Sequence, residues 1–126
     1  MRVKIETSEA PAAIGPYSQA IKASGFLFVS GQIPIDPKTG QIDAVDVVGQ
    51  TTQVMNNISA ILNAEGLSFS EVVKTTIFLT DLSEFARVND IYGSYFKSDP
   101  PARSTVQVVA LPKGAKVEIE VVAALR

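Results

Sequence analysis

The chain is 126 residues long, the size of one ordinary domain, and 46% of it is hydrophobic, enough to build a core. It has neither cysteine nor histidine. That excludes disulfides, thiolate nucleophiles, Ser-His-Asp and Cys-His relays, and zinc held by His or Cys. A formal net charge of −2 argues against general affinity for nucleic acid or for an anionic membrane.

In chain order, Arg2 to Glu6 alternates as a short strand. Ala10 to Tyr17 holds two prolines and a glycine and reads as an ordered loop. Gln19–Ser24 and Phe26–Gly31 read as strands broken at Gly25, followed by a turn-rich stretch from Ile33 to Gly40. Val47, Val54, Ile58, Ile61 and Leu62 recur at helical spacing, with Met55 widening the stripe. They predict a helix over Asp46–Glu65, with Asp46 as N-cap and Gly66 just past its end. Val72–Thr80 is a strand. Asp81 and Glu84 suggest a capping box opening a second helix, whose apolar face is Phe85, Val88, Ile91, Tyr92 and Tyr95. The prolines at 100 and 101 end it. Ser104–Ala110 and Lys116–Ala124 are the last strands. The N-terminus carries no apolar signal core and no run reaches membrane-spanning length, so a cytoplasmic protein without a membrane partner is expected.

The order β-β-β-α-β-α-β-β implies one α+β domain over residues 1–126, a mixed sheet with two helices on one face. Phe26–Val29, Ile77–Leu79 and Val106–Val109 place apolar groups on both strand faces. Two helices cover only one face, so a second subunit is expected on the other.

Few residues offer chemistry. The last two strands read as a hairpin around Leu111–Gly114. That pairing would bring Arg103, a planar fork for a carboxylate, close to Glu118, an acid/base group. Together they suggest a small pocket for an anionic substrate. Taken singly, the same residues have simpler roles. Arg103 and Glu118 would be solvated strand charges, Tyr17 a loop plug, Ser30-Gly31 a bulge and Asn89 a helix-surface amide.

GPYSQA (15–20), SGQIP (30–34) and PARSTVQV with LPKGAKVEIE (101–108 and 111–120) resemble the RidA (YjgF) family across essentially the whole chain. The resemblance implies a chorismate-mutase-like fold and a homotrimer with sites in clefts between subunits. It implies cofactor-independent, metal-independent hydrolysis of 2-imino and enamine acids such as 2-iminopropanoate and 2-iminobutanoate to 2-oxo acids and ammonia. The family's carboxylate-binding arginine falls on Arg103. Its water-directing glutamate falls on Glu118 rather than Glu120. Its further substrate contacts fall on Tyr17, Ser30, Gly31, Asn89 and Thr105. Thr105 stands where many members have cysteine, so only its hydroxyl and backbone are available there. Two other functions are open: a non-catalytic ligand-binding regulator, which needs Arg103 but not Glu118, and a translation-inhibitor-type ribonuclease. The net charge and the missing histidine count against the ribonuclease.

Overall fold

The computed structural model describes Met1–Arg126. Its elements are β1 (Val3–Ile5), β2 (Ala20–Ala23), β3 (Phe26–Gln32), α1 (Val47–Ala64), β4 (Val72–Leu79), α2 (Phe85–Gly93), β5 (Ala102–Gln107) and β6 (Val117–Ala124). They form a six-stranded mixed sheet in the order β1-β2-β3-β6-β4-β5. Only the β4–β5 pair is parallel. The expected α+β class and element order hold.

The long helix starts and stops where its end groups are satisfied. Asp46 Oδ1 accepts the Gly49 N–H at 2.8 Å. Gly66, at φ +69°, turns the chain left-handed, and the Gly66 and Leu67 N–H groups bond to Asn63 and Leu62 carbonyls, each at 3.0 Å. This is a Schellman ending, which glycine adopts without a Cβ penalty. Val54, Met55, Ile58, Ile61 and Leu62 are buried against β3 and β6, on which Leu27, Val29, Ile119 and Val121 face the same core.

The second helix begins differently from the expected capping box. Asp81 accepts the Ser83 N–H at 2.9 Å and opens a 3₁₀ turn, Leu82–Glu84, before α2. Glu84 does not return a bond to Asp81 and instead lies 3.9 Å from Arg87. The box appears upstream, where Ser68 N–H donates to Glu71 Oε1 at 2.7 Å.

The hairpin reading of the last two strands is also corrected. The strands run antiparallel, but β4 lies between them. The connecting segment arches over the end of β4, bonding Val108 N–H to the Leu79 carbonyl at 2.8 Å and Thr80 N–H to the Lys116 carbonyl at 3.2 Å. The Leu-Pro-Lys-Gly turn is real, with Lys113 at φ 58° and Gly114 at φ 70°. It reverses the chain across an intervening strand. Alternation and turn residues encode reversal, and they do not encode which strand becomes the neighbour.

Side chains on the second sheet face remain uncovered within one chain. Phe26, Phe28 and Val106 are 39%, 45% and 42% exposed, and Phe78 and Val122 share that face by register. Loops are anchored to the helical layer by buried amides. Asn57 donates to the Ile33 and Ile35 carbonyls at 3.2 and 2.9 Å and accepts from Gln53 at 2.9 Å. Gln50 bonds the Ala44 carbonyl at 3.1 Å and the Lys116 N–H at 2.9 Å. Replacing Asn57 by alanine orphans the Ile35 carbonyl, leaves that of Ile33 only its bond from the Ile35 N–H, and opens a void. Urea denaturation should show a loss of about 2–3 kcal/mol.

Candidate active site in two halves

Register decides where the candidate residues lie. Arg103 pairs with Thr75, and Thr105 with Ile77, both buried on the helix-covered face. Glu118 pairs with Phe78, whose neighbours in β4, Ile77 and Leu79, are buried on that helix-covered face. Residues alternate between faces along a strand, so Arg103 and Glu118 project from opposite sides of the sheet. They are further separated by two strand spacings and by three positions along β4, about 10 Å each way. The expected meeting of Arg103 with Glu118 by strand pairing does not occur within one chain.

The first half-site lies between the edge strand β5 and α2. Phe85, Asn89 and Tyr92 occupy one stripe of α2, at spacings of four and three. Asn89 Oδ1 accepts from Arg103 Nη1 at 2.7 Å. The Arg103 Cζ stands 5.4 Å from the Phe85 ring centroid and 5.1 Å from that of Tyr92, within cation–π range. No carboxylate pairs with this guanidinium. Beside it, the buried Thr105 Oγ1 has no hydrogen-bond partner, an uncommon state for a buried hydroxyl. Gln107, the next residue on that face, accepts the Leu82 N–H at 2.8 Å.

The second half-site lies where the N-terminal loop meets a bulge in β3. Val29 pairs with Val121 and Gln32 with Ile119, so Ser30 and Gly31 together oppose Glu120. Ser30 Oγ donates to the Ser18 carbonyl at 2.6 Å, tying the bulge to the loop. Buried Gln19 holds the start of that loop. It accepts the Thr7 N–H at 2.7 Å and donates to the Thr7 and Pro11 carbonyls at 3.0 and 2.8 Å. Tyr17 is half exposed, and its hydroxyl accepts the Ile14 N–H at 3.3 Å. Tyr17, Ser30 and Phe28 line one surface depression together with Arg2 and Lys4.

Glu118 lies against Gly31. A Cβ at position 31 would fall 2.9 Å from Glu118 Cδ and would collide with Oε2. Glycine is therefore favoured here by close approach, not by backbone angle. Burial raises the Glu118 pKa above the ordinary carboxylate value, and the charge of Glu120 raises it further. The structure thus groups Arg103, Asn89 and Thr105 on one side and Tyr17, Ser30, Gly31 and Glu118 on the other. Phe85 and Tyr92 were read from the sequence only as helix core. Their spacing with Asn89 is the signal that joins them to Arg103.

These features define a small α+β domain with its polar chemistry divided between two faces of one sheet. The family described as Endoribonuclease L-PSP matches residues 7–125, and the chain belongs to it, the RidA family of the motif resemblance. Protein DfrA from Myxococcus xanthus is 57% identical, covering 97% of this chain and 95% of its own length. A 2-iminobutanoate/2-iminopropanoate deaminase from Homo sapiens is 49% identical, covering 98% and 90%. The crystal structure of TdcF from E. coli with bound serine superposes with a TM-score of 0.94 at 44% identity, covering 98% and 99%. No helix is long and apolar enough to cross a membrane.

Two results should follow from the Gly31–Glu118 contact. Gly31→Ala displaces only the end of a flexible side chain, so thermal unfolding should shift by less than about 1 kcal/mol. It should nonetheless move the Glu118 carboxyl resonance in NMR titration back toward the ordinary carboxylate value. Glu118→Gln should raise stability at neutral pH. A carboxyl whose folded pKa is raised is least costly when protonated, and it destabilises as pH rises through that value. The gain should vanish in acid below the ordinary glutamate range, measured by thermal melts across pH. A destabilised Gln variant at pH 7 would contradict this.

Proposed function

We propose that this protein hydrolyses 2-imino acids, formed directly or from their enamine tautomers, to 2-oxo acids and ammonia, at sites shared between neighbouring subunits of a homotrimer. The observation that carries the reading is a guanidinium held by two aromatic rings and one amide, yet left without a carboxylate. A substrate carboxylate suits that vacancy by a two-point charge-assisted contact. Relatives about half identical bear the deaminase name, and one solved relative holds serine, itself a small carboxylate.

The division between faces supports the shared site. Arg103 and Glu118 of one chain cannot reach one substrate, so the Arg103 half of one copy must meet the Glu118 half of the next. The exposed phenylalanines on the open sheet face give such a contact its driving force. The cysteine-free composition suits the cytoplasm.

In this reading Arg103 holds the carboxylate and Thr105, through its free hydroxyl, and Asn89 border it. Glu118 takes a proton from water as the water oxygen bonds to the imine carbon. The C=N electron pair moves to nitrogen, which acquires a proton. The resulting carbinolamine loses its hydroxyl proton, re-forms a carbonyl and expels ammonia. Tyr17, Ser30 and Gly31 shape the Glu118 side. The raised Glu118 pKa suits a group that must first take and then return a proton. Atoms balance with water as the only co-reactant.

The direct test couples an amino-acid oxidase, which generates the imine, to measurement of its decay and of ammonia release. Wild type should accelerate decay and Glu118→Gln should lose about a hundred-fold or more of that effect while still binding 2-oxobutanoate. A fully active Gln variant would reject Glu118 as the base. The acid limb of kcat/KM should lie above the ordinary carboxylate range and move down in Glu120→Gln, because one raising charge is removed. Arg103→Lys should weaken 2-oxobutanoate binding about ten-fold and Arg103→Ala by up to about a hundred-fold, in calorimetric titration.

A further inference from the structure

We infer that Tyr92 and Thr75 are positioning residues that fix the plane and height of the Arg103 guanidinium, an inference resting on the carboxylate-anchor role proposed above. Tyr92 is 4% exposed and Thr75 1%. Their hydroxyls meet at 2.7 Å. Thr75 is also the residue directly opposite Arg103 in the β4–β5 ladder. The contacts therefore close a ring. Arg103 is registered to Thr75 through the sheet, Thr75 holds the Tyr92 hydroxyl, and the Tyr92 ring lies 5.1 Å from the Arg103 Cζ.

The arrangement answers a physical problem. Arg103 springs from an edge strand, is exposed, and has a long side chain with many rotamers. Freezing such a chain at the moment of ligand binding costs affinity. A ring held in one orientation beneath the guanidinium, with Asn89 at its edge, pays that cost during folding. Phenylalanine and valine could fill the same core volume without polar atoms. The hydroxyl pair adds direction, because it fixes the rotation of α2 over β4 and so the ring face that Arg103 meets. Burial also raises the Tyr92 pKa, against the opposing effects of the Thr75 hydrogen bond and the Arg103 charge. The phenol thus stays neutral and able to donate.

The test is a double-mutant cycle read by 2-oxobutanoate titration and by imine-hydrolysis kinetics. Tyr92→Leu removes the ring and should weaken binding about ten-fold, raising KM with little change in kcat. Tyr92→Phe keeps the ring and should cost about three-fold; it also serves if the leucine variant folds poorly. In an Arg103→Lys background the same changes should cost less than about two-fold, since the planar group they orient is gone. Equal losses in both backgrounds, or no loss in wild type, would overturn the inference and leave Tyr92 a core residue. If wild type binds no 2-oxobutanoate, the proposed function fails, and the positioning claim is read from the Arg103 Nε–H resonance instead. Tyr92→Leu should remove its ring-current shift. An unchanged resonance would reject positioning independently of any ligand.

Discussion

Alternation along a β-strand is the constraint from which the rest of this molecule follows. Each step of one residue sends the next side chain to the other face of the sheet. In β6 it sends Ile119 and Val121 into the helical core while Glu118 and Glu120 face away. In β5 it turns Arg103, Thr105 and Gln107 toward α2. Placing β4 between these strands adds lateral distance to the opposition of faces. One chain consequently holds the proposed anion anchor and the proposed carboxyl base where they cannot serve the same small molecule. In the proposed function a neighbouring copy resolves this, and the uncovered phenylalanines supply a reason for one to bind.

Each half is held in place by contacts from neighbouring groups. Gln19 fastens the loop before Tyr17 through both ends of its amide. The bulge at Ser30-Gly31 brings the backbone so close under Glu118 that a Cβ at position 31 would displace its carboxyl. Around Arg103, three residues of α2 perform the same service. The two halves differ in energetic sign. Pairing a guanidinium with ring faces and an amide stabilises the fold, whereas burying a carboxyl beside a second one destabilises it. That cost at Glu118 agrees with the acid/base role proposed for it.

Much of this was legible in the sequence because the signals were local. The stripe Val54–Leu62 with Asp46 and Gly66 fixes α1 almost to the residue. The motifs around Gly15, Ser30 and Pro101 identify the family. What was not legible was pairwise and non-local. The Pro112–Gly114 turn marks a chain reversal but says nothing of β4 slipping between the reversed strands, since register and adjacency are settled by packing of the whole sheet. The Asp81–Glu84 spacing imitates a capping box, but Asp81 caps a 3₁₀ turn through the Ser83 N–H and Glu84 returns no bond. Phe85 and Tyr92 were read as core because ring faces serve cores and cations equally well. Only the approach of Arg103 separates the two uses.

Whether one site needs two chains is tested by mixing two inactive proteins, Arg103→Ala and Glu118→Gln, unfolding them together and refolding the mixture. If sites are shared, chance assembly gives about a quarter of the clefts an intact Arg103 from one copy and an intact Glu118 from the next. Imine-hydrolysis activity should then return to roughly that fraction of wild type, while each variant refolded alone stays inactive. A co-refolded mixture as inactive as its components, at an oligomeric state equal to wild type, would mean that both residues act within one chain or that one of them does not act at all.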